Sequence, residues 1–327
     1  MPTAFLTGAT GFLGPHVARV LAERGWRIRA LCRSDPVSGS ELSRADVQIV
    51  RGELSSASVI ARAAAGCDAV IHAAGLLKAR SLAEYRSVNV EGTESLLRSI
   101  RTVAPHAVWV QISSQAASGP ARGGRPVKEG DPARPVSWYG VSKREGEIAV
   151  EREWPGPWIV LRPSLVYGPG DRALLVLFRA ASAGWVPVPA ARAWVHLIAA
   201  ERAAQAIASA AAAPSLSGRT GFVCDPDPLT VGDFAARLSR LPPRAARLVP
   251  VPDLLVRVAG GAETLWETVT RKARPFNADK AREALAGDWL CDPDPLASDL
   301  GLPPPVPLEE GLRRTWDWYV SHGWLTL

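Results

Sequence analysis

The chain has 327 residues, of which 47% are hydrophobic and 21% are charged, and its formal net charge is +6. These values are typical of a globular protein with one large domain, or a large and a small one, and they exclude a fibrous or disordered chain. The sequence contains no run of 18 apolar residues and begins with a strand pattern rather than a signal pattern, so we expect a cytoplasmic protein without a membrane span. Its arginines are scattered, which argues against nucleic acid as a partner and leaves anionic small molecules favoured.

The cysteines and histidines show no metal-binding pattern. The cysteines are far apart in the sequence, and no two histidines have the His-x-x-x-His spacing. We therefore expect free thiols in a reducing compartment and no metal site. The cysteines are Cys32, Cys67, Cys224 and Cys291.

A glycine-rich turn follows the first short apolar run, residues 4–6, and leads directly into a helical pattern. Gly8 would allow the tight turn, Gly11 would let a pyrophosphate approach the backbone, and Gly14 would let the helix lie close to the strand. The N–H groups at the start of the helix would then face phosphates. On these residues alone, a glycine turn without a ligand stays open.

The second predicted strand, residues 27–31, ends near Arg33 and Ser34. In a dinucleotide-binding sheet this strand end meets the adenosine ribose. An arginine there pairs with a 2′-phosphate, which favours NADP(H). Asp35 could serve a ribose hydroxyl instead, and Arg33 could be an ordinary surface residue, so NAD(H) stays possible.

Strands and helices alternate along the first half, which predicts a Rossmann-type doubly wound parallel sheet in an α/β fold. Beyond residue 171 the pattern predicts a smaller, mostly helical substrate-binding part. We expect residues 1–170 to form the NAD(P)-binding domain and residues 171–327 the substrate-binding part, with some of its segments returning to the sheet. Further strands are predicted at 47–50, 68–73, 107–112 and 158–161, and shorter ones near 193–197 and 220–224. Further helices are predicted at 55–65, 82–103, 138–153, 171–183, 198–213, 230–240, 253–272, 277–286 and 308–321.

Two kinds of side chain have competing interpretations. His72 ends a predicted strand, and we expect a packed core histidine. The tryptophans of the second half could line an apolar pocket, although ordinary packing is the expectation for each. They include Trp185, Trp194 and Trp266.

Tyr139 and Lys143 are four residues apart on a predicted helix and therefore share a face. A nearby ammonium favours the phenolate and lowers the phenol pKa, so the pair could exchange a proton near neutral pH. Ser114, at the end of the fifth predicted strand, would bind and orient a substrate oxygen. Tyr-x-x-x-Lys alone is a weak signal, and its position behind the glycine turn and the paired serines gives it weight.

With these motifs the chain resembles an extended short-chain dehydrogenase/reductase of the epimerase/dehydratase type, over nearly its whole length. The motifs are residues 7–14, His72-Ala73-Ala74, residues 89–93, Ser113-Ser114, residues 139–143, residues 162–170, and the C-terminal 308–312 with Trp318-Tyr319.

The resemblance implies that Ser114, Tyr139 and Lys143 are catalytic, that Ser113 lies beside the nicotinamide and that Pro163 and Ser164 lie near its carboxamide. It also implies a homodimer formed through the helices near 82–103 and 138–153. The full set of expected cofactor contacts is Thr7, Gly8, Thr10, Gly11, Phe12, Leu13, Gly14, Arg33, Ser34, Glu53, Leu54, Ala73, Ala74, Gly75, Asn89, Ser113, Tyr139, Lys143, Pro163 and Ser164.

The chain departs from the family pattern at three places, of which Glu53 is at the adenine contact. Glu53 stands where the family usually has Asp, and Ala199 and Ala200 stand where an Asp pair is common. Leu165 stands where many sugar-nucleotide enzymes carry an Asn, which weakens a nucleotide-sugar interpretation.

The leading hypothesis is an NAD(P)-dependent oxidoreductase, with NADP(H) preferred, that interconverts a rather apolar ketone or aldehyde and an alcohol. The alternatives are a nucleotide-sugar epimerase or dehydratase with retained NAD, and a nucleotide-binding protein without catalysis.

Overall fold

A computed structural model describes residues 1–34, 42, 47–189, 192–271, 273 and 276–326. Its centre is a seven-stranded sheet in the order β11-β6-β5-β4-β1-β2-β3, with every neighbouring pair parallel. The expected Rossmann-type α/β fold is confirmed. The strands of this sheet are β1 (Thr3–Thr7), β2 (Arg27–Cys32), β3 (Val47–Arg51), β4 (Ala69–His72), β5 (Val108–Ile112), β6 (Trp158–Pro163) and β11 (Arg219–Val223).

Helices cover both faces of the sheet because successive strand residues point to opposite sides. In β1, Ala4 and Leu6 pack with one set of helices, and Phe5 packs with the other. The first face carries α1 (Leu13–Glu23) and α7 (Ala200–Ala211), whereas the second carries α2 (Ala57–Ala64), α4 (Glu91–Ile100) and α5 (Trp138–Glu153).

The predicted helix 82–103 is two helices, α3 (Leu82–Asn89) and α4. The chain bends at Val90, where φ is −112°. The Thr93 hydroxyl donates to the Asn89 carbonyl four residues earlier, an arrangement that bends helices. The helix predicted at 138–153 matches α5, whose N-terminus is capped by the Ser137 hydroxyl.

The second half contributes both to the central sheet and to smaller units. Strand β11 extends the sheet beside β6, and α7 packs against α1. Three two-stranded pairs lie outside it: β7 (Leu165–Tyr167) with β10 (Leu197–Ala199), β9 (Trp194–Val195) with β12 (Leu229–Thr230), and β8 (Trp185–Pro189) with β13 (Arg247–Val251). The remaining helices are α6 (Leu175–Ser182), α8 (Val231–Leu238), α9 (Asp253–Thr270), α10 (Ala278–Ala284), α11 (Asp294–Asp299) and α12 (Leu308–Ser321).

Several predicted boundaries in this half are wrong. The helix expected from residue 171 begins at Leu175, because the Asp171 carboxylate accepts from the amides of Ala173 and Leu174 and makes a turn there. The single strand expected at 193–197 is divided between β9 and β10. Among the described residues, no helix is both long and apolar enough to cross a lipid bilayer.

Candidate active site

The glycine turn between β1 and α1 leaves no room for side chains. Gly8 has a φ of +72°, and a Cβ there would lie 2.5 Å from the Ala73 carbonyl carbon and the Ala74 nitrogen. A Cβ on Gly14 would lie 2.3 Å from the Ala9 carbonyl oxygen. No described side chain caps α1, whose first turn follows directly after Phe12. This compact turn and its uncapped helix start fit a dinucleotide pyrophosphate.

The expected adenosine end of the site lies where β2 and β3 finish side by side. Arg33 and Ser34 are both exposed there, while Asp35 lies outside the described residues. Cys32 pairs in register with Arg51, which sequence reasoning did not single out and which is also exposed. Glu53 is exposed just beyond, and its amide donates to Ser56 Oγ at 3.0 Å.

The small residues after β4 are fixed by a chain of hydrogen bonds through His72. The Ala74 amide donates to Thr7 Oγ1 at 3.2 Å, and that hydroxyl lies 2.7 Å from His72 Nδ1. His72 Nε2 lies 2.9 Å from Thr93 Oγ1, which donates onward to the Asn89 carbonyl. The directions of these hydrogen bonds are consistent with a neutral His72 ring that carries its proton on Nε2. Burial, together with the charge of Lys143, lowers the pKa of His72 to about 3, so the expected core histidine is confirmed.

Asn89 connects this series of hydrogen bonds to helix α5. Its Oδ1 accepts from the Leu76 amide at 2.7 Å, and its Nδ2 donates to Ser142 Oγ at 2.9 Å. Gly75 stands between them, since a Cβ there would lie 3.2 Å from Asn89 Oδ1 and 3.7 Å from Lys143 Nζ. A side chain at position 75 would therefore crowd the Asn89 carboxamide and approach the Lys143 ammonium.

Ser114, Tyr139 and Lys143 meet at the carboxyl end of β5. The Ser114 hydroxyl lies beside the Tyr139 phenol and lowers its pKa, and it accepts from the Ala116 amide at 3.1 Å. Lys143 is buried, and its Nζ donates to the Ile112 carbonyl at 2.6 Å. Burial lowers the pKa of Lys143 to about 8, although the Glu147 carboxylate opposes this shift.

The pKa of Tyr139 differs from the expectation. Burial raises it, the charge of Glu283 raises it further, and the hydrogen bond with Ser114 lowers it. Lys143 was expected to lower this pKa, but its ammonium is directed to the Ile112 carbonyl. In this structure burial therefore outweighs the lysine.

The Ser113 hydroxyl is hydrogen-bonded to a buried ion pair. It donates to Glu147 Oε1 at 2.5 Å. Arg162 donates to both carboxylate oxygens of Glu147, and Arg144 adds a third contact at 2.9 Å. Glu147 was not predicted, although it continues the Tyr139–Lys143 stripe by four more residues.

The strand end expected near the carboxamide has one distinctive atom. Pro163 is buried at the end of β6, and Ser164 follows it, with its amide donating to the Val223 carbonyl at 3.1 Å. Among the described residues, no protein group hydrogen-bonds the buried Ser164 hydroxyl. A buried hydroxyl of this kind fits a polar cofactor group such as a carboxamide.

Helix α10, which the sequence predicts at 277–286, lies against Tyr139, a contact that the sequence did not predict. Lys280 Nζ lies 4.5 Å from the centroid of the Tyr139 ring. Glu283 accepts from Ser137 Oγ at 2.5 Å and from Lys280 Nζ at 2.8 Å, while Asp279 accepts from the Trp138 amide. These residues are about 140 positions from Tyr139, so no local pattern could have indicated the contact.

The surroundings of Tyr139 are apolar, but the tryptophans proposed for a pocket are elsewhere. Trp138 and Trp289 pack against the cluster that holds Tyr139. Trp185, Trp194 and Trp266 are instead 46%, 42% and 57% exposed, so ordinary core packing does not describe them.

Two of the cysteines that are far apart in the sequence are neighbours in the fold. Cys291 Sγ lies 3.4 Å from Cys224 Sγ, and His196 completes a buried group whose potential ligand atoms lie within 4.8 Å of one another. His196 Nδ1 already accepts from the Cys291 amide at 3.2 Å. The fold therefore brings together two thiols and an imidazole that the sequence spacing did not connect.

Comparison with known proteins places this geometry in a family. Residues 4–218 match the model of the NAD dependent epimerase/dehydratase family. The chain belongs to this family. The chain is 35% identical to a ceramide reductase of Caulobacter vibrioides. This match covers 98% of this chain and 95% of that protein.

Two further comparisons agree with this membership. The chain is 28% identical to a 2-alkyl-3-oxoalkanoate reductase of Stenotrophomonas maltophilia, covering 94% of this chain and 97% of that protein. The solved structure of gox2253 superposes with a TM-score of 0.79 at 21% identity and full coverage of both chains, which shows a shared fold.

Proposed function

We propose that this epimerase/dehydratase family member is an NAD(P)-dependent oxidoreductase that interconverts an apolar ketone and the corresponding alcohol, with NADP(H) preferred. The observation that carries the proposal is the placement of Ser114 just after β5 and beside Tyr139, one helical turn from Lys143, whose Nζ donates to the last residue of β5. Open α/β sheets bind their ligands at this edge. The reductase names of both whole-length relatives support the same class of reaction.

The chain's own groups would handle the proton and the substrate oxygen. A bound NADPH would supply the hydride that goes to the carbonyl carbon. Ser114 would donate a hydrogen bond to the substrate oxygen, and Tyr139 would transfer its phenolic proton to the same oxygen as the C–O double bond becomes single. The high phenol pKa keeps this proton in place until the oxygen becomes basic. Lys143, held by Ile112, would bind the ribose beside Gly75.

The substrate class follows from the surroundings of Tyr139. Leu76, Trp138 and Trp289 pack against its cluster. Leu165, the residue that stands in place of the Asn of many sugar-nucleotide enzymes, is 41% exposed and offers no hydrogen-bonding side chain. The names of the two relatives, which refer to a ceramide and an alkyl-oxoalkanoate, support a ketone that carries alkyl chains.

The first experiment measures NADPH oxidation with a series of 3-oxo ketones of increasing alkyl length, using wild type, Tyr139→Phe and Tyr85→Phe. Tyr85 is a matched control because its buried ring lies 5.9 Å from that of Tyr139 and its hydroxyl donates to the Leu77 carbonyl. We expect Tyr139→Phe to lose roughly a hundredfold to ten-thousandfold in kcat, as for other acid–base groups. We expect Tyr85→Phe to stay near wild type.

Two other outcomes would favour the alternatives. Tightly retained NAD without net cofactor consumption would favour a nucleotide-sugar epimerase or dehydratase. Unchanged activity and cellular role in Tyr139→Phe would favour a nucleotide-binding protein without catalysis.

The cofactor preference needs a separate measurement. Titration with NADPH and NADH, followed by nucleotide fluorescence, compares wild type with Arg33→Ala and Arg27→Ala. Arg27 is a matched control because it is exposed at the opposite end of the same strand. We expect NADPH to bind about tenfold tighter or more, and Arg33→Ala alone to remove that preference. Equal binding of both nucleotides by wild type would refute the role of Arg33.

A further inference from the structure

The outward face of α9 is apolar. Leu254 is 69% exposed, Leu255 is 56%, and Val258 and Trp266 are each 57% exposed. In a helix with 3.6 residues per turn these four positions lie within one broad stripe. Isolated exposed apolar residues are ordinary on protein surfaces, but a stripe of this kind marks an interaction surface.

The inward face of the same helix is polar, the reverse of a surface helix in a water-exposed protein. Thr264 Oγ1 accepts from the Ala278 amide at 2.9 Å, and the buried Glu267 accepts from Asn277 Nδ2 at 3.4 Å. Gly260 allows the close contact with α10, because a Cβ there would lie 2.7 Å from Ala281 Cβ. The polar contacts of α9 are therefore made inside, and its apolar side chains remain outside.

The apolar surface continues into the preceding strand. Leu248 and Val249 of β13 are 45% and 41% exposed. Trp185, on the paired strand β8, is 46% exposed. Only Pro252 separates β13 from α9.

Exposed arginines lie on the segment that carries this surface and just before it, whereas the described acidic groups of the same segment are half-buried or buried. Asp253 and Glu263 are half-buried and Glu267 is buried. The exposed cations are Arg244, Arg247, Arg257 and Arg271. An apolar stripe with a basic border is the chemistry that recognises a lipid surface with anionic headgroups.

We propose that the outer face of α9, together with β13, docks onto a bilayer that contains anionic phospholipids. Helix α10 connects this face to the reaction site, since it packs against Gly260 and Thr264 on one side and carries Lys280 over the Tyr139 ring on the other. Docking itself does not depend on the proposed function. Only the purpose of docking rests on the proposed function: a ketone with alkyl chains would reach Tyr139 from the bilayer through the α9–α10 pair.

Flotation with vesicles tests the docking directly. The full chain, without nucleotide or substrate, is mixed with vesicles of phosphatidylcholine alone or with about a quarter phosphatidylglycerol, a typical anionic fraction. We expect the protein to float with the anionic vesicles, to float less with the neutral ones, and to be released by added salt. Absence from the floating fraction at low salt would overturn the proposal.

Paired variants locate the surface. We expect Leu254→Asp with Val258→Asp to weaken vesicle binding about tenfold or more, because two buried aliphatic contacts are replaced by charges. Val176→Asp is the control, since Val176 is 66% exposed on another helix, α6. Circular dichroism and NADPH affinity of each variant verify the fold. Equal binding by the double variant and the control would overturn the proposal.

A second copy of this chain is the competing occupant. If the double variant changes the molar mass in solution while wild type binds no vesicles, the face is a protein interface and the proposal is wrong. The reductase activity on a short, water-soluble ketone is measured without vesicles, so a failure of docking and a failure of the proposed function are distinguishable.

Discussion

Glu147 and Arg162 form a buried ion pair with two hydrogen bonds, of 2.9 Å and 2.7 Å, one helical turn beyond Lys143. The Ser113 hydroxyl donates to the same carboxylate. The pair thus ties α5 to the ends of β5 and β6, the elements that carry the proposed catalytic groups. Its negative partner also opposes the effect of burial on the pKa of Lys143.

We expect Glu147→Gln to lower the free energy of unfolding by about 3–5 kcal/mol, because it leaves the buried Arg162 guanidinium without its counter-charge. Chemical denaturation measures the loss. Glu151→Gln is the matched control, since Glu151 contacts Arg144 on the same helix but is part-exposed, so its loss should be within about 1 kcal/mol. Equal losses in the two variants would contradict the assignment of a buried ion pair.

The glycine turn gives a prediction that separates backbone strain from crowding. Gly8 and Gly25 have similar φ values, +72° and +77°, so an alanine at either position adopts an unfavourable left-handed conformation. Only at Gly8 would the new Cβ meet backbone atoms, whereas nothing lies within 4 Å at Gly25. We expect Gly25→Ala to lower the free energy of unfolding by about 1 kcal/mol.

Gly8→Ala should lower stability by more than this and should also abolish nucleotide binding, because the β1–α1 turn must move away from Ala73 and Ala74. Denaturation and NADPH titration of both variants measure the two effects. Nucleotide affinity that is equally retained in both would show that the turn does not hold the cofactor.

Local signals account for the parts of the structure that the sequence predicted. The β1–α1 turn depends on residues within one short segment, and α5 begins at a serine cap and runs as a continuous helix, so both were predicted closely. The order of strands follows from the alternation of elements, because parallel crossovers allow few arrangements.

The remaining features depend on contacts between distant residues. Helix α10 reaches Tyr139 through side chains about 140 positions away, and burial of the phenol, together with the charge of Glu283, reverses the expected direction of the Tyr139 pKa shift. The meeting of Cys224 and Cys291 likewise follows from the fold and has no spacing signal. Glu147 is different, because the sequence shows that it lies four residues after Lys143 on the same helix. Only its pairing with Arg162 could not be predicted from the sequence.

His72 predicts a pH dependence of stability. Its pKa is about 3 in the folded protein and near 6.5 in the unfolded chain. Between these values the unfolded chain takes up a proton that the folded protein does not, so the free energy of unfolding falls as the pH falls. The upper limit of this loss is about 5 kcal/mol for the full interval.

The variant His72→Asn removes the titration and keeps an acceptor near the Thr7 hydroxyl. We expect it to be less stable than wild type at pH 7 and to lose stability less steeply between pH 6.5 and pH 4. Thermal or chemical denaturation across this range gives both slopes. Parallel pH profiles for the two proteins would show that His72 is not the titrating group.

Glu283 should control the proton affinity of Tyr139. Its carboxylate raises the pKa of the phenol, so Glu283→Gln should lower that pKa, and the Lys280 ammonium over the ring would then act without its acidic partner. Alcohol oxidation needs the phenolate as base, whose population rises with pH. We therefore expect the rising limb of the pH profile for oxidation to move to lower pH by about one unit.

Ser137→Ala is the control, because it removes the hydrogen bond to Glu283 and keeps the charge. A shift of equal size in Ser137→Ala, or no shift in Glu283→Gln, would show that the carboxylate charge does not set the pKa of Tyr139.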